Sequence, residues 1–206
     1  MFATAPRSLG DPGRVAERTA LLATAEATRP LVEWAGALVA RRGVHVPSFD
    51  PAEAGVNARV MLVLEAPGPM TTVEGGRPGS GFISVDNDDV TAENVWRARE
   101  EVGLHDGFLA WNIVPWYLDP ASTKPSAKEL EEGAGELRSL LRLLPDLQAV
   151  ILGGKHAQRG WARHIQPFVR DKYVTIESWH PSPLALNRPE RREQFVATFR
   201  RAAAFA

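Results

Sequence analysis

The sequence predicts an α/β protein, built as three α/β/α layers around a short four-stranded parallel sheet. Four short apolar segments recur along the chain, and helical patterns separate them. This alternation favours parallel pairing, because each helix returns the chain to the edge of the sheet where the previous strand began. The fold class therefore follows from the order of these segments.

The four apolar segments are expected to form the strands of the sheet. They are RVMLVLEAPG at 59–68, GFLAWNIVPW at 107–116, LQAVILGG at 147–154 and KYVTIESWHPSP at 172–183. Each has an apolar body and closes on glycine, proline or polar residues, which end a strand. Ligands of open parallel sheets bind beyond the carboxyl ends of the strands, so we expect a functional site where these segments end.

Helical patterns between and around the strands predict the outer layers. They occupy residues 31–39, 91–102, 130–144 and 194–205. The apolar face of the first pattern consists of Leu31, Trp34, Leu38 and Val39. Gly43 and Gly103 follow the first two patterns, and glycine there is typical of a helix end because it accepts a left-handed backbone.

The 206 residues are enough for one domain with a sizeable core, and we expect a single domain over 1–206, with helices in 1–50 packed on it. The absence of cysteine excludes disulfides, thiolate zinc sites and iron–sulfur clusters. No apolar run approaches the ~20 residues of a membrane span, and the first residues lack the apolar stretch of a signal peptide. These features predict a cytoplasmic monomer without membrane contact.

The formal net charge of −1 hides an uneven distribution. Residues 50–106 hold eleven acids against four arginines, whereas residues 153–206 hold ten lysines and arginines against four acids. A local excess of cations can bind phosphates even on a neutral molecule, which is compatible with a nucleic-acid partner. A well-solvated surface of arginine-rich helices is the alternative, and charge alone leaves both open.

Five motifs lie at the strand ends and in the turn after the first strand. They are LEAPG at 64–68, GSGFISV at 79–85, WNIVPW at 111–116, ILGGKHAQ at 151–158 and HPSPL at 180–184. In this order they resemble the uracil-DNA glycosylase superfamily, over about residues 60–192 of the chain. HPSPL is the most specific of the five.

The resemblance implies roles around a base taken out of the DNA stack. Asn112 matches the asparagine that reads the polar edge of uracil, and His180 matches the histidine that hydrogen-bonds the departing base. Phe82 matches the aromatic residue on which the base stacks. The residues of the first motif expected beside the substrate are Ala66, Pro67 and Gly68.

A second group of residues is expected to contact the DNA strand. It consists of Gly154, Lys155, His156, Ser182, Leu184 and Arg188. Leu184 matches the leucine that fills the gap in the duplex, and an apolar wedge offsets part of the few kcal/mol that base extrusion costs. Backbone N–H groups and cations in the other loops supply affinity for phosphates.

The chemistry of these residue types agrees with the resemblance. An asparagine offers one donor group and one acceptor, which distinguishes uracil from cytosine at the same edge. Breaking the N-glycosidic bond leaves negative charge on the base, and a preplaced donor such as His180 stabilises that charge. We therefore expect a monofunctional glycosylase of base excision repair that acts on uracil or another deaminated base in DNA. No metal or organic cofactor is implied.

The residue that activates the attacking water is left open. Ala66 stands where the GQDPYH pattern of the superfamily carries an aspartate. The candidates are Glu65, Asp86, Asn87 and Asp88, or none of them, and Asp88 or Asp89 is also expected to cap the next helix. The alternative function is a catalytically weak or inactive module that binds DNA or a nucleobase with the same pocket. A phosphate-binding P-loop is not predicted, because GGRPGSGF at 75–82 lacks the GK[ST] ending.

Overall fold

The computed structural model describes residues 2–72, 78–118 and 124–206. Its strands are β1 (Ser48–Phe49), β2 (Val60–Leu64), β3 (Phe82–Ile83), β4 (Phe108–Asn112), β5 (Ala149–Gly153) and β6 (Val174–Ser178). Its α-helices are α1 (Pro12–Leu21), α2 (Arg29–Arg42), α3 (Val90–Val102), α4 (Ala127–Leu140), α5 (Lys155–His164), α6 (Gln166–Val169) and α7 (Pro189–Ala203). Residues 73–77 of the glycine-rich turn lie outside the described ranges.

The four predicted strands form one parallel sheet in the order β4-β2-β5-β6. Val60 of β2 is in register with Phe108 of β4 on one side and with Ala149 of β5 on the other. The strands β4 and β5 are buried along their whole length, as expected where helices cover both faces. The edge strand β6 instead alternates between exposed and buried residues. The short strands β1 and β3 pair in parallel as a separate ribbon.

Helices pack on both sides of this sheet and complete the predicted α/β/α architecture. The helix α3 packs against α7, and α7 lies on β5 and β6. The helix α4 packs against α5, which lies on β5 and β2. Right-handed crossovers explain the arrangement, because the chain moves from β2 to β4 in one direction across the sheet and from β4 to β5 in the other. The predicted fold class is confirmed.

The helix ends follow the expected local chemistry. Asp89 caps α3 by accepting a hydrogen bond from the Ala92 N–H at 2.9 Å, and Gly103 ends the helix with φ of 68°. Gly43 ends α2 in the same way, with φ of 64°. One detail of the α2 prediction was wrong: Val39 is exposed, because the buried face follows Leu31, Ala35 and Leu38.

The sequence patterns did not predict α5. Its segment KHAQRGWARH is rich in charge and contains a glycine, so its apolar face is narrow. Gly160 explains how the helix packs, because a Cβ there would lie 2.3 Å from the Ile113 side chain. The missing side chain allows α5 to approach the loop that follows β4.

A buried ion network ties the N-terminal helices to the rest of the described chain. Arg18 of α1 donates to Asp50 at 2.7 Å and to Asp86 at 2.7 Å, and both acids are fully shielded from solvent. Asp86 also accepts the Ala3 N–H at 2.9 Å. Trp34 of α2 donates from its ring N–H to the Ser139 hydroxyl at 2.8 Å. Within the described residues, every helix is too short or too polar to span a lipid bilayer.

Candidate active site

A cavity of about 330 Å³ opens at the carboxyl edge of the four-stranded sheet. Its wall includes Glu65, which follows β2, Asn112, which ends β4, and His180, which lies just beyond β6. The chain leaves β2 and β5 in opposite directions across the sheet. Such a reversal leaves a crevice between the strand ends, because the helices that follow lie on opposite faces.

Asn112 brings a buried amide to the cavity wall. It is 3% exposed, and its side chain makes no hydrogen bond to another residue in the described part of the chain. Its backbone is in register with Leu64, and the next N–H, of Ile113, donates to the Leu64 oxygen at 2.8 Å. Gly133 of α4 packs on this turn, where a Cβ would lie 2.4 Å from the Ile113 oxygen. The amide therefore has a fixed position and unused hydrogen-bonding capacity.

His180 is held as a neutral imidazole with a defined tautomer. The Ser182 N–H donates to its Nδ1 at 3.1 Å, so the proton of the neutral ring resides on Nε2. Burial lowers the pKa of His180; Glu65 opposes this shift, and Lys124 and His156 add to it. Gly154 makes room for the ring, since a Cβ there would lie 2.9 Å from the His180 Cβ.

Glu65 is an ionised carboxylate with a partner on each oxygen. Its Oε2 lies 3.0 Å from His156 Nδ1, and its Oε1 accepts a hydrogen bond from Lys124 Nζ. Burial alone would raise the pKa of Glu65, but Lys124, followed by His180 and His156, outweighs it and lowers the pKa. The cavity thus contains a negative charge whose position is set by two basic side chains.

The loop after β6 is braced from two helices. Asn94 of α3 donates to the Pro181 oxygen at 2.7 Å, while Arg191 of α7 donates to the Ala185 oxygen at 3.2 Å. Arg192 donates to the Leu186 oxygen at 2.8 Å. Leu184, between these anchors, is 82% exposed. An apolar side chain is therefore held out in solvent by a firmly attached loop.

The sequence model of the uracil DNA glycosylase superfamily matches residues 51–204. The chain belongs to this superfamily. Its four-stranded parallel sheet, with helices on both faces, is the fold expected from that membership. Membership supports a glycosylase-type function on DNA. A comparison with curated proteins finds no match.

Five residues expected from the uracil DNA glycosylase resemblance and the candidate Glu65 line the one cavity. They are Glu65, Ala66, Pro67, Gly68, Asn112 and His180. Phe82 does not join them among the described residues: it is 3% exposed, and the wall is formed instead by Ile83, Ser84 and Val85. Phe82 pairs with Ser48 in the short ribbon, while its neighbour Ile83 lines the cavity, as the alternation of side chains along a strand allows.

The residues expected to contact DNA lie outside the cavity at the carboxyl edge of the sheet. Gly154 and Lys155 lie where α5 begins, and His156 reaches back to Glu65. Lys155, Leu184 and Arg188 are exposed, whereas Ser182 is half-buried. Of the arginines that follow HPSPL, Arg191 and Arg192 bind loop carbonyls.

The structure shows where the other candidates for the water-activating residue lie and what they bind. Asp86 is committed to Arg18 and does not line the cavity within the described residues. Asn87 lines it, but its amide donates to the Phe82 oxygen at 2.9 Å and accepts from Ser80. Asp88 lies outside the wall, 3.8 Å from an Arg7 nitrogen. Asp89 lines the cavity as the cap of α3, and burial raises its pKa.

Two contributors were missed by the sequence analysis. Lys124 binds Glu65 across 59 positions of the chain, and Asn94 holds the HPSPL loop. Asp89, which the sequence analysis expected to cap a helix, also lines the cavity. A lysine in a loop and an asparagine in a helix are too common to be singled out without a fold.

Proposed function

We propose that this superfamily member hydrolyses the N-glycosidic bond of uracil, or of a related deaminated base, in DNA and leaves an abasic site. One observation carries the proposal: the Asn112 amide, which has no hydrogen-bond partner among the described residues, and the Nε2–H tautomer of His180 line the same cavity. The cavity, of about 330 Å³, is at the small end of ligand sites and suits a single base.

Asn112 is proposed to read the polar edge of the base. Its amide has an N–H donor and a carbonyl acceptor, which pair with the O4 acceptor and N3–H donor of uracil. Cytosine presents the opposite pattern and would leave both groups unpaired. Because the amide is buried and fixed, the wrong base would cost two desolvated polar groups, each worth about 1–3 kcal/mol.

His180 is proposed to stabilise the charge of the leaving base. As the glycosidic bond breaks, its electrons pass to the base, and the uracil O2 gains negative charge. The Nε2–H of a neutral imidazole can donate to that oxygen without having to be reprotonated. Loss of one donor of this kind typically costs ~10²–10³ in rate.

Glu65 is proposed to act through its charge. The sugar becomes positive as the base leaves, and an ionised carboxylate nearby stabilises that cation and orients the water that attacks it. Both oxygens of Glu65 already have partners, Lys124 and His156. This supports electrostatic stabilisation over removal of a proton. Lys124 donates to the carboxylate and so is not free to attack the sugar, which supports a monofunctional reaction.

The proposed DNA contacts follow the exposed rim. Leu184, held out by the braced loop, is the proposed wedge that enters the space left by the extruded base. The backbone phosphates would be bound by Gly154, Lys155, His156, Ser182 and Arg188. Ala66, Pro67 and Gly68 keep their proposed place beside the base, whereas Phe82 is not proposed to touch it, because Ile83, Ser84 and Val85 form that part of the wall.

A second function is favoured by a specific feature of the cavity. Of the cavity residues in the described part of the chain, the two carboxylates are Glu65 and Asp89, and both are hydrogen-bonded to other groups. Ala66 adds no acid. A module that binds an extruded base without cleaving it would have this arrangement.

Alkali-labile cleavage of labelled oligonucleotides tests the two functions. Single- and double-stranded substrates that contain uracil or hypoxanthine are incubated with the protein, and strand breaks are measured with and without alkali. A monofunctional glycosylase gives breaks after alkali alone. Asn112→Ala and His180→Ala should each reduce the rate at least about a hundredfold. Tight binding without breaks at high protein concentration would favour the binding module.

A further inference from the structure

A second cavity, of about 200 Å³, lies beside the first, between the first turns of α4 and the exposed face of α5. We call it the basic cavity. Its polar lining in the described chain consists of His156, Arg159, Arg163 and His164, all from α5. Pro125, Ala127 and Leu130 close it from the α4 side. Of these lining residues, His156 alone was given a role in the site described above.

Helical spacing explains why these four side chains converge. Positions 156, 159 and 163 are spaced by three and four residues, and position 164 follows 156 by eight, so the four residues lie on one broad face of a helix. Gly160 lies near the centre of this face, and because it has no side chain, α5 packs closely against Ile113. The basic groups consequently surround a depression.

The two arginines of the basic cavity have no counter-ion from the described chain. The side chains of Arg159, Arg163 and His164 form no hydrogen bond or ion pair with another described residue, and no acid is among the lining residues. Glu129, the acid in the first turn of α4, is engaged in a capping box with Ser126. Two guanidinium groups around one depression repel each other, so an anion that bridges them would be bound favourably.

His156 links the basic cavity to the first cavity, at the carboxyl edge of the sheet. His156 lines the basic cavity, and its Nδ1 lies 3.0 Å from Oε2 of Glu65. Glu65 in turn lines the first cavity. One hydrogen-bonded pair therefore links the walls of the two cavities. A strand whose base enters one would carry its backbone past the other.

We propose that the basic cavity binds a phosphate of the DNA strand next to the extruded nucleotide, with Arg159 and Arg163 as the main ligands. The inference rests on the proposed function for its substrate. Arginine suits this role because its planar fork bonds two oxygens of one phosphate. The N-terminus of α4, at the opposite wall, adds partial positive charge. His156 and His164 complete the ring of donors.

The test is the salt dependence of DNA binding, measured by fluorescence anisotropy with single-stranded oligonucleotides that carry either uracil or thymine. Arg159→Ala combined with Arg163→Ala should weaken binding to both by about tenfold at moderate salt. The slope of log K against log salt should become shallower by about 0.7, since the loss of one phosphate contact removes about that much on single strands. An unchanged affinity and slope would overturn the proposal.

Two matched variants separate charge from other effects. Arg159→Lys with Arg163→Lys keeps both charges, so the slope should stay close to that of the unaltered protein. Arg200→Ala with Arg201→Ala removes the same charge from the last turn of α7, near the opposite edge of the sheet, and should change neither affinity nor slope. An equal loss in the α7 variant would assign the effect to net charge and reject the site.

Single methylphosphonate substitutions identify the bound phosphate. Neutralising one phosphate near the uracil should weaken binding of the unaltered protein, and the same substitution should have no further effect on the Arg159→Ala, Arg163→Ala variant. Independent losses at every position would contradict a discrete site. Because binding is measured without base release, failure of the glycosylase assay with retention of this coupling would reject the proposed reaction and leave the phosphate site standing.

Discussion

At the scale of single residues, the position of His180 depends on a glycine in a different segment. Gly154 has φ of 89°, in the left-handed region, and its Cα faces the His180 ring. Any side chain there would be strained by the backbone and would also displace the imidazole. The glycine that follows β5, Gly154, is thus part of the candidate site although it carries no functional group.

Substitution Gly154→Ala should therefore affect both stability and activity. We expect a loss of about 1–3 kcal/mol in the free energy of unfolding, from the positive φ and the close approach to His180. Base release should fall further than binding, because the displaced group is the proposed donor. Gly36→Ala, at an open position in α2, is the control and should stabilise by about 0.5–1 kcal/mol. Urea unfolding and single-turnover rates measure the two effects.

The protonation of His180 gives a second prediction at this scale. Burial lowers its pKa below the ordinary 6.5, so the imidazole should titrate below that value in an NMR experiment. Between the two pKa values, His180 binds a proton in the unfolded chain but not in the folded chain. The free energy of unfolding therefore decreases as the pH falls from 6.5 through the folded pKa.

Glu65→Gln sharpens this test. The negative charge of Glu65 raises the pKa of His180, so the variant should titrate at a still lower pH. Glu101→Gln, at an exposed acid that pairs with Arg200, is the control and should leave the titration of His180 unchanged. A midpoint in the variant equal to or above that of the unaltered protein would contradict the electrostatic link.

At the scale of secondary-structure elements, two helices from distant parts of the chain fix one loop. The helix α3 supplies Asn94 and α7 supplies Arg191 and Arg192, and all three donate to carbonyls of the 181–186 segment. Trp179, at the entrance of the loop, donates to Gln194 at 2.8 Å. The loop is therefore positioned by hydrogen bonds from two helices and is not set by its prolines alone.

Asn94→Ala should loosen the loop with little loss of overall stability. One half-buried hydrogen bond contributes about 1 kcal/mol, whereas a displaced catalytic group can cost up to about a hundredfold in rate. We expect faster hydrogen exchange at the Ser182 amide and a base-release rate about tenfold to a hundredfold lower. Arg97→Ala, which removes an exposed ion pair from the same helix, should leave both unchanged. Equal effects of the two variants would mean that α3 does not position the loop.

At the scale of the whole molecule, a buried ion network joins segments that are far apart in the chain. Arg18 from α1, Asp50 after β1 and Asp86 after β3 meet where water is excluded. The desolvation of three charges is offset only while each has its partner. The ribbon of β1 and β3, beside the cavity, therefore depends on the N-terminal helices for its stability.

Arg18→Ala should be among the most destabilising single changes in the protein. It leaves Asp50 and Asp86 buried without their cation, at a cost of about 3–5 kcal/mol. Arg14→Ala, in an exposed pair with Glu17 on the same helix, should stay within about 0.5 kcal/mol of the unaltered protein. Denaturant unfolding of both variants checks the prediction, and a small effect of Arg18→Ala would show that water reaches the two acids.

Much of the fold could be predicted, since the four strands and most helices leave a periodic record in their own residues. The strand LQAVILGG and the helix that ends at Gly103 are recognised without reference to any other part of the chain. The helix α5 could not be recognised in this way, because its packing depends on Gly160 meeting Ile113. Of the motif residues expected at the candidate site, Asn112 and His180 line the cavity and Phe82 does not, and Lys124 was not foreseen.

The sequence by itself determined the α/β order of elements, the family, the exclusion of cysteine chemistry and the motifs that gather at the strand ends. Only the tertiary structure decided which nitrogen of His180 carries the proton, that both oxygens of Glu65 are occupied, and that Asp86 belongs to a buried network. The physical reason is the distance along the chain between the groups that determine each property. Periodicity and motifs are local properties of the chain, but tautomer, ionisation and cavity charge depend on groups that only folding brings within hydrogen-bond distance.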